Sequence, residues 1–241
     1  MESLLAKEIN SLRHRPSDHL PDLKKMLSQF QGKYLVCPDF KAKVKTHEGA
    51  QPVVEGMNFL AQAKSAPLML RNRALDLTAR ELTNYLEKTG NLTANSPELK
   101  MTTRVKKYVK EGGIYAENLV FGAIRAHNIM NLFLASDGIP NRIYRKNLVN
   151  PTFTHFGVSI AQHPKMGYVA AVIFFGSKSQ KQSQSLDLYD QAYDPKIIPK
   201  VANSRSFNVT VIPEKNQFCY DFLLTNGQTV RKLLQYKTKS G

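Results

Sequence analysis

Glu117 and Asn118, adjacent in the stretch Tyr115 to Gly122, are the side chains of this sequence best suited to forming a chemical site. A carboxylate can act as a base, as a ligand for a zinc-like ion, or as an acceptor for hydrogen-bond donors. The first two uses need company. Imidazole nitrogens or further carboxylates must share the site before a metal is held or hydrolysis becomes possible. His127 and Asp137 are the neighbours along the chain that offer such groups. His127, however, stands alone on an otherwise apolar stretch, where an imidazole is more often a packed, hydrogen-bonded side chain than a ligand. The alternative for the pair is structural: Glu117 ties backbone amides while the Asn118 amide bonds across a turn. Cys37 and Cys219 cannot build a disulfide framework and read as small buried hydrophobes.

Charge is the second strong signal. The 241 residues hold 34 Lys and Arg against 19 Asp and Glu, a net charge of +15, with a pI near 9.8. This exceeds what solubility asks of such a chain and points to an acidic partner. Candidate contact residues are Arg104, Lys106, Lys107 and Lys110 on a short basic helix, with Lys178 and Lys181 in a polar arm. Nucleic acid is the competing partner, although there is no zinc-finger spacing, no RNP-like aromatic motif and no tryptophan for stacking. Apolar runs such as Tyr168 to Phe175 fall well short of the roughly 20 residues a membrane-spanning helix needs. The charged opening Met1 to Glu8 does not read as a secretory signal, so the expectation is an intracellular, cytoplasmic protein. Without such a signal the sequons at Asn91 and Asn208 read as chance matches.

The elements that must position these groups are legible from periodicity. Leu4 to Leu12 and Leu20 to Phe30 read as two short helices around a bend at Pro16. Cys37 to Lys45, with its run Lys41, Lys43, Lys45, reads as a loop or short edge strand. Helices are expected over Pro52 to Ala63, from Asn72 to a stop at Gly90, over Thr102 to Val109, and over Ala123 to Ala135. From Phe153 the period changes to that of strands. A hairpin turning at His163 to Gly167 carries the strand Tyr168 to Phe175, whose two apolar faces call for helices on both sides. Residues 177 to 200 read as a polar extended arm. A closing antiparallel meander is expected over 201 to 241, turning at Pro213 to Asn216 and at Asn226-Gly227, and packed on the main domain.

In this order the segments resemble the CAP superfamily, which includes cysteine-rich secretory proteins, antigen 5 and plant pathogenesis-related proteins. Ile9-Asn10 with Arg13 and Pro16 is similar to the family's opening helix. Pro67-Leu68 with the stripe Leu75, Ala79, Leu82 is similar to its next helix, and Tyr115 to Gly122 to its Gly-Glu-Asn-Leu/Ile stretch. Asp137 to Leu148, followed by Asn150-Pro151-Thr152-Phe153 and Gly157-Val158, resembles the form Asp-Gly-Val-Pro-Ser-Arg-Gly-His-Arg-Lys-Asn-Ile. The resemblance implies an α+β fold, a three-layer α-β-α sandwich over residues 1 to 176. It also implies a cleft where two histidines and two acidic residues face one another and, in some members, hold a divalent metal.

Departures from that pattern decide the functional expectation. The first histidine falls at Thr93 or Ala94, the second at Tyr144, and the second acidic position near Ser136, so only Glu117 remains of the four. Asn118, Arg145 and Asn147 persist as structural parts of the motif. A phenol of pKa about 10 is a poor metal ligand at neutral pH. The expectation is therefore a non-catalytic structural or adaptor protein with no metal and no cofactor, working within a larger intracellular complex. Tubulin, in the cytoskeleton or a ciliary axoneme, is its first candidate partner. A ribonucleoprotein-associated protein, or a residual CAP-type hydrolase or lipid or metal binder, are the alternatives.

Overall fold

Pro16 sets the direction of the N-terminal segment. Helix α1 (Glu2–His14) buries the stripe Leu5, Ile9 and Leu12, and Pro16 then opens a 3-10 turn that redirects the chain into α2 (Leu20–Ser28). Strands β1 (Phe30–Gln31), β2 (Tyr34–Leu35) and β3 (Val44–Lys45) follow and pair antiparallel in the order β1-β2-β3. Their register sets Phe30, Leu35 and Val44 opposite one another on the inner face, and Gln31, Tyr34 and Lys45 on the outer one. Of the basic run Lys41, Lys43, Lys45, only Lys45 lies in this small sheet; the other two lysines lead into β3. Helix α3 (Gln51–Gln62) starts with Pro52 in its first turn, where a missing N–H costs nothing.

The main sheet comes next. Strand β4 (Leu70–Arg71) leads into α4 (Arg73–Thr89), which Asn72 caps by accepting from the N–H groups of Ala74 at 2.9 Å and Leu75 at 3.2 Å. Gly90, at φ +65°, ends the helix. Then follow α5 (Met101–Tyr108), β5 (Gly113–Phe121), α6 (Ala126–Ala135), α7 (Ile143–Val149), β6 (His155–His163) and β7 (Gly167–Ser177). The sheet order is β4-β6-β7-β5, with β4 parallel to β6 and the other pairs antiparallel.

Both faces of β7 are buried. Ala170, Val172 and Phe174 join the core with α1, α3 and α6, while the other face lies under α4, where Thr83 and Ser159 hydroxyls meet at 2.8 Å. Gly157 permits that approach, since a Cβ there would stand 2.1 Å from the carbonyl carbon of Leu75. The result is a three-layer α-β-α sandwich. Within it the Arg13 guanidinium is fully buried and held by main-chain oxygens alone. It donates to Pro67 at 2.6 Å, Leu148 at 2.8 Å, Asn150 at 3.0 Å and Phe153 at 3.3 Å. Burial lowers its pKa to about 10.

This computed structural model describes residues 1–109, 112–177, 199–212, 217–226 and 228–235, which divide into two units, Met1–Lys178 and Ser179–Gly241. The second unit contains β8 (Ser204–Ile212), β9 (Gln217–Leu224) and β10 (Thr229–Gln235), an antiparallel sheet in the order β10-β9-β8. Cys219, Tyr220 and Phe222 on β9 are buried, and the Tyr220 and Phe222 rings stack with centroids 6.1 Å apart. Arg231 pairs across strands with Asp221 at 2.7 Å. The expected turn at Pro213 to Asn216, Gly227 of the second turn, and most of the arm (178–198) lie outside the described residues. No helix among the described residues is long and apolar enough to cross a membrane.

Sequence periodicity misses three elements of the sandwich, the two-residue strand β4 among them. Strand β5 carries Glu117-Asn118 at its centre, which breaks the apolar alternation, and α7 is too short and too basic to show a stripe. Helix α6 starts three residues later than expected because Arg125 is extended.

Candidate functional site

Strand β5 lies at the edge of the main sheet, and alternation sends Glu117 and Asn118 to opposite faces. On one face Glu117 meets α5. Arg104 Nη2 donates to Glu117 Oε2, Arg104 Nε donates to the Leu99 carbonyl at 2.8 Å, and Nη1 to the Thr78 carbonyl at 2.7 Å. Arg104 is fully buried, while the Glu117 side chain keeps 22% of its surface exposed. Burial pushes the Glu117 carboxyl above its ordinary range, and the Arg104 charge pulls it back. This corrects two expectations. Arg104 takes no part in a basic contact surface, because it supplies the counter-charge of Glu117, and Glu117 binds a guanidinium where backbone amides were expected.

The rest of the expected basic surface is divided. Lys106 is exposed, Lys107 pairs with Glu81, and Lys110, Lys178 and Lys181 lie outside the described residues.

On the other face Asn118 is fully buried and bridges β5 to α7. Its Nδ2 donates to the Tyr144 carbonyl at 3.0 Å, and its Oδ1 accepts from Asn147 Nδ2 at 2.9 Å. Arg145, also buried, donates from Nη2 to the carbonyls of Ala135 at 2.6 Å and Pro52 at 2.9 Å. Ser136, at the position of the family's second acid, has φ +52°. Its hydroxyl donates to the Phe133 carbonyl at 2.6 Å and accepts from the Arg145 N–H at 3.2 Å. Asn118, Arg145, Asn147 and Ser136 thus form the joint that holds α6 and α7 against β5.

Tyr144 stands where the second histidine is expected. Its ring meets Phe133 edge-on at 6.1 Å. Burial, together with the nearby Glu117 charge, raises the phenol further above its ordinary range, so it is neutral at pH 7. Beyond it lies a cavity of about 140 Å³ lined by apolar groups including Phe30, Leu35, Val44, Val53 and Leu119. Thr93 is exposed and Ala94 half-buried in the segment after α4. The other two candidates are engaged elsewhere: His127 lies 3.9 Å from Asp39, and Asp137 accepts the N–H groups of His47 at 2.7 Å and Glu48 at 2.9 Å.

These residues do not fit a divalent metal. One carboxylate already held by a guanidinium and one neutral phenol are not a ligand set for a zinc-like ion. Among the described residues no group of three His, Cys, Asp or Glu side chains converges.

Sequence reasoning misreads one charged residue around this site and misses another. Arg104, read as a contact residue, stands at helical spacing from Met101 and Val105 and points inward with Val105. Arg142 is the one missed. It pairs with Glu48 and, at 2.8 Å, with Glu55. Together with the Gly138 N–H, Arg142 holds the Glu48 carboxyl at about 2.

No curated protein matches the chain. Among solved structures, an outer surface protein of Borrelia burgdorferi is similar at 19% identity, over 47% of this chain and 80% of its own, with a TM-score of 0.40. An extracellular protein of Bacillus anthracis containing an SCP domain is similar at 18% identity, over 54% of this chain and 38% of its own, with a TM-score of 0.37. The cysteine-rich secretory protein family, CAP, matches residues 7–176, and with most of the chain so matched the protein belongs to that family.

Proposed function

We propose that this chain works by binding and not by catalysis: a CAP scaffold serving as a structural or adaptor module that docks on an acidic macromolecular surface inside the cell. The observation that carries this reading is the commitment of Glu117 to the buried Arg104 guanidinium. A general base must be able to reach a substrate proton, and a nucleophilic water needs a metal or a base to activate it. Glu117 is already partnered, and the neutral Tyr144 phenol beside it supplies neither function. The net charge of +15 supports an acidic partner.

A microtubule lattice is the first candidate for that surface, since it combines dense negative charge with repeated grooves. Co-sedimentation of the full chain with microtubules should be strong at low salt and weaken as salt rises. Absence of co-sedimentation at low salt overturns the microtubule assignment. Glu117→Gln should lower stability and leave that binding unchanged; loss of a measurable turnover in this variant would overturn the non-catalytic reading.

A further inference from the structure

The β1-β2-β3 sheet places positive charge on a rigid support. Its inner face anchors it, with Leu35 buried and Phe30 and Val44 packed on the core. Its outer face presents Tyr34, 38% exposed, opposite Lys45. Lys43, in the segment just before β3, holds its Nζ 4.9 Å above the centre of the Tyr34 ring. Lys33 in the β1-β2 turn is exposed, and Lys41 is exposed against Gly167 of the β6-β7 turn.

Three carboxylates of the neighbouring segments are occupied. Asp39 pairs with Arg125 at 3.0 Å, Glu48 pairs with Arg142, and Asp137 accepts two backbone N–H groups. Among the described residues no carboxylate lies within ion-pair distance of Lys33, Lys41, Lys43 or Lys45. The α5 helix offers less, since Arg104 is buried and Lys107 is paired.

We propose that this three-stranded ribbon is the docking surface and that its partner is an extended, carboxylate-rich polypeptide segment. The inference rests on the docking reading above and adds the place and the chemistry of contact. Lys43 over the Tyr34 ring and Lys45 opposite Tyr34 put two ammonium groups at one aromatic side chain, and an extended acidic chain offers carboxylates about 7 Å apart at alternate positions to meet such a pair. The cluster is all lysine, giving point charges that suit single carboxylates and not the two-toothed grip that arginine gives a phosphate. The Lys43 ammonium already lies over the Tyr34 ring and competes with a stacked base, which favours a polypeptide over a nucleic acid.

The test titrates the full chain with a labelled polyglutamate peptide and, separately, with a single-stranded oligonucleotide of equal charge. The peptide should bind, more weakly as salt rises. Lys43→Glu/Lys45→Glu should weaken it at least about tenfold, while Lys100→Glu/Lys106→Glu on the α5 side changes it less than about twofold. The milder Lys43→Gln/Lys45→Gln, with an unchanged melting curve, separates loss of charge from loss of fold. Equal losses from the two charge reversals overturn the ribbon as the site and leave the docking reading standing. Tighter binding of the oligonucleotide overturns the acidic-polypeptide partner. If the unaltered chain binds neither probe at low salt, both the inference and the docking reading fall.

Discussion

Arg104 reaches back from α5 to Glu117, thirteen residues downstream, so that one ion pair joins the short helix to the edge strand of the main sheet. Removing one partner of such a pair strands the other. Glu117→Gln should cost about 2–4 kcal/mol, because Arg104 stays buried with no counter-charge, whatever hydrogen bond the amide oxygen still accepts. Arg104→Met/Glu117→Leu, which removes both charges, should recover part of that loss. Urea denaturation of the three proteins measures it, and a double variant less stable than the single one would contradict the account.

Asn118 satisfies a carbonyl of α7 and receives the amide of Asn147 in one buried position. Asn118→Ala removes the bond that ties the Tyr144 carbonyl to β5 and leaves the Asn147 Nδ2 without a partner, and should cost about 2–4 kcal/mol. Protection of the α7 amides in hydrogen exchange should fall more than that of β6. A uniform fall would locate the loss elsewhere.

Gly157 lies under the first turn of α4, and here an added methyl meets main chain, with the Asp76 nitrogen 2.2 Å and the Leu75 carbonyl carbon 2.1 Å from its position. Gly157→Ala should destabilise by about 1–3 kcal/mol or more, since neither backbone can step aside without moving the helix. A thermal melt decides it, and an unchanged midpoint would show that α4 shifts freely.

Glu48 supplies the pH dependence. Its carboxyl falls from the ordinary 4.5 to about 2 in the fold, chiefly through the Arg142 hydrogen bond and then the Gly138 N–H. The fold favours the ionised form, so this contribution is complete above pH 4.5 and is lost as pH falls through about 2. Glu117 and Asp76, raised by burial, act in the opposite sense. The comparison is therefore between the unaltered chain and Glu48→Gln. Their stabilities should converge as pH falls from 4.5 to 2, and a constant gap over that window would exclude Glu48 as the source.

Legibility tracked periodicity and end signals. Leu75, Ala79, Leu82 and Leu86 mark α4 because four apolar groups share one face, with Asn72 and Gly90 punctuating its ends. The β6-β7 hairpin and the final three strands show the same regularity. The fold class also followed from the order of the motifs, whose Glu117, Asn118, Arg145 and Asn147 the structure places around β5, α6 and α7. Arg104 was misread because its charge suggested water, although its spacing from Met101 and Val105 already put it on the inward stripe. The pairing of Glu117 with Arg104 could not be read, since nothing local to either residue states that α5 and β5 pack together. The little basic sheet was half legible: its lysines were visible, but its register depends on contacts between residues 30 and 45.

Arg13 carries a kinetic consequence. Its four carbonyl partners lie 54 to 140 residues further along the chain, so α1 can be helical early yet has nowhere to bury this charge until Phe153 has been synthesised. Until then the guanidinium must stay hydrated and the first helix undocked. Closure of the sandwich thus waits on contacts of long sequence separation, the condition that slows folding, and leaves the apolar stripe of Leu5, Ile9 and Leu12 in need of shelter while the chain emerges.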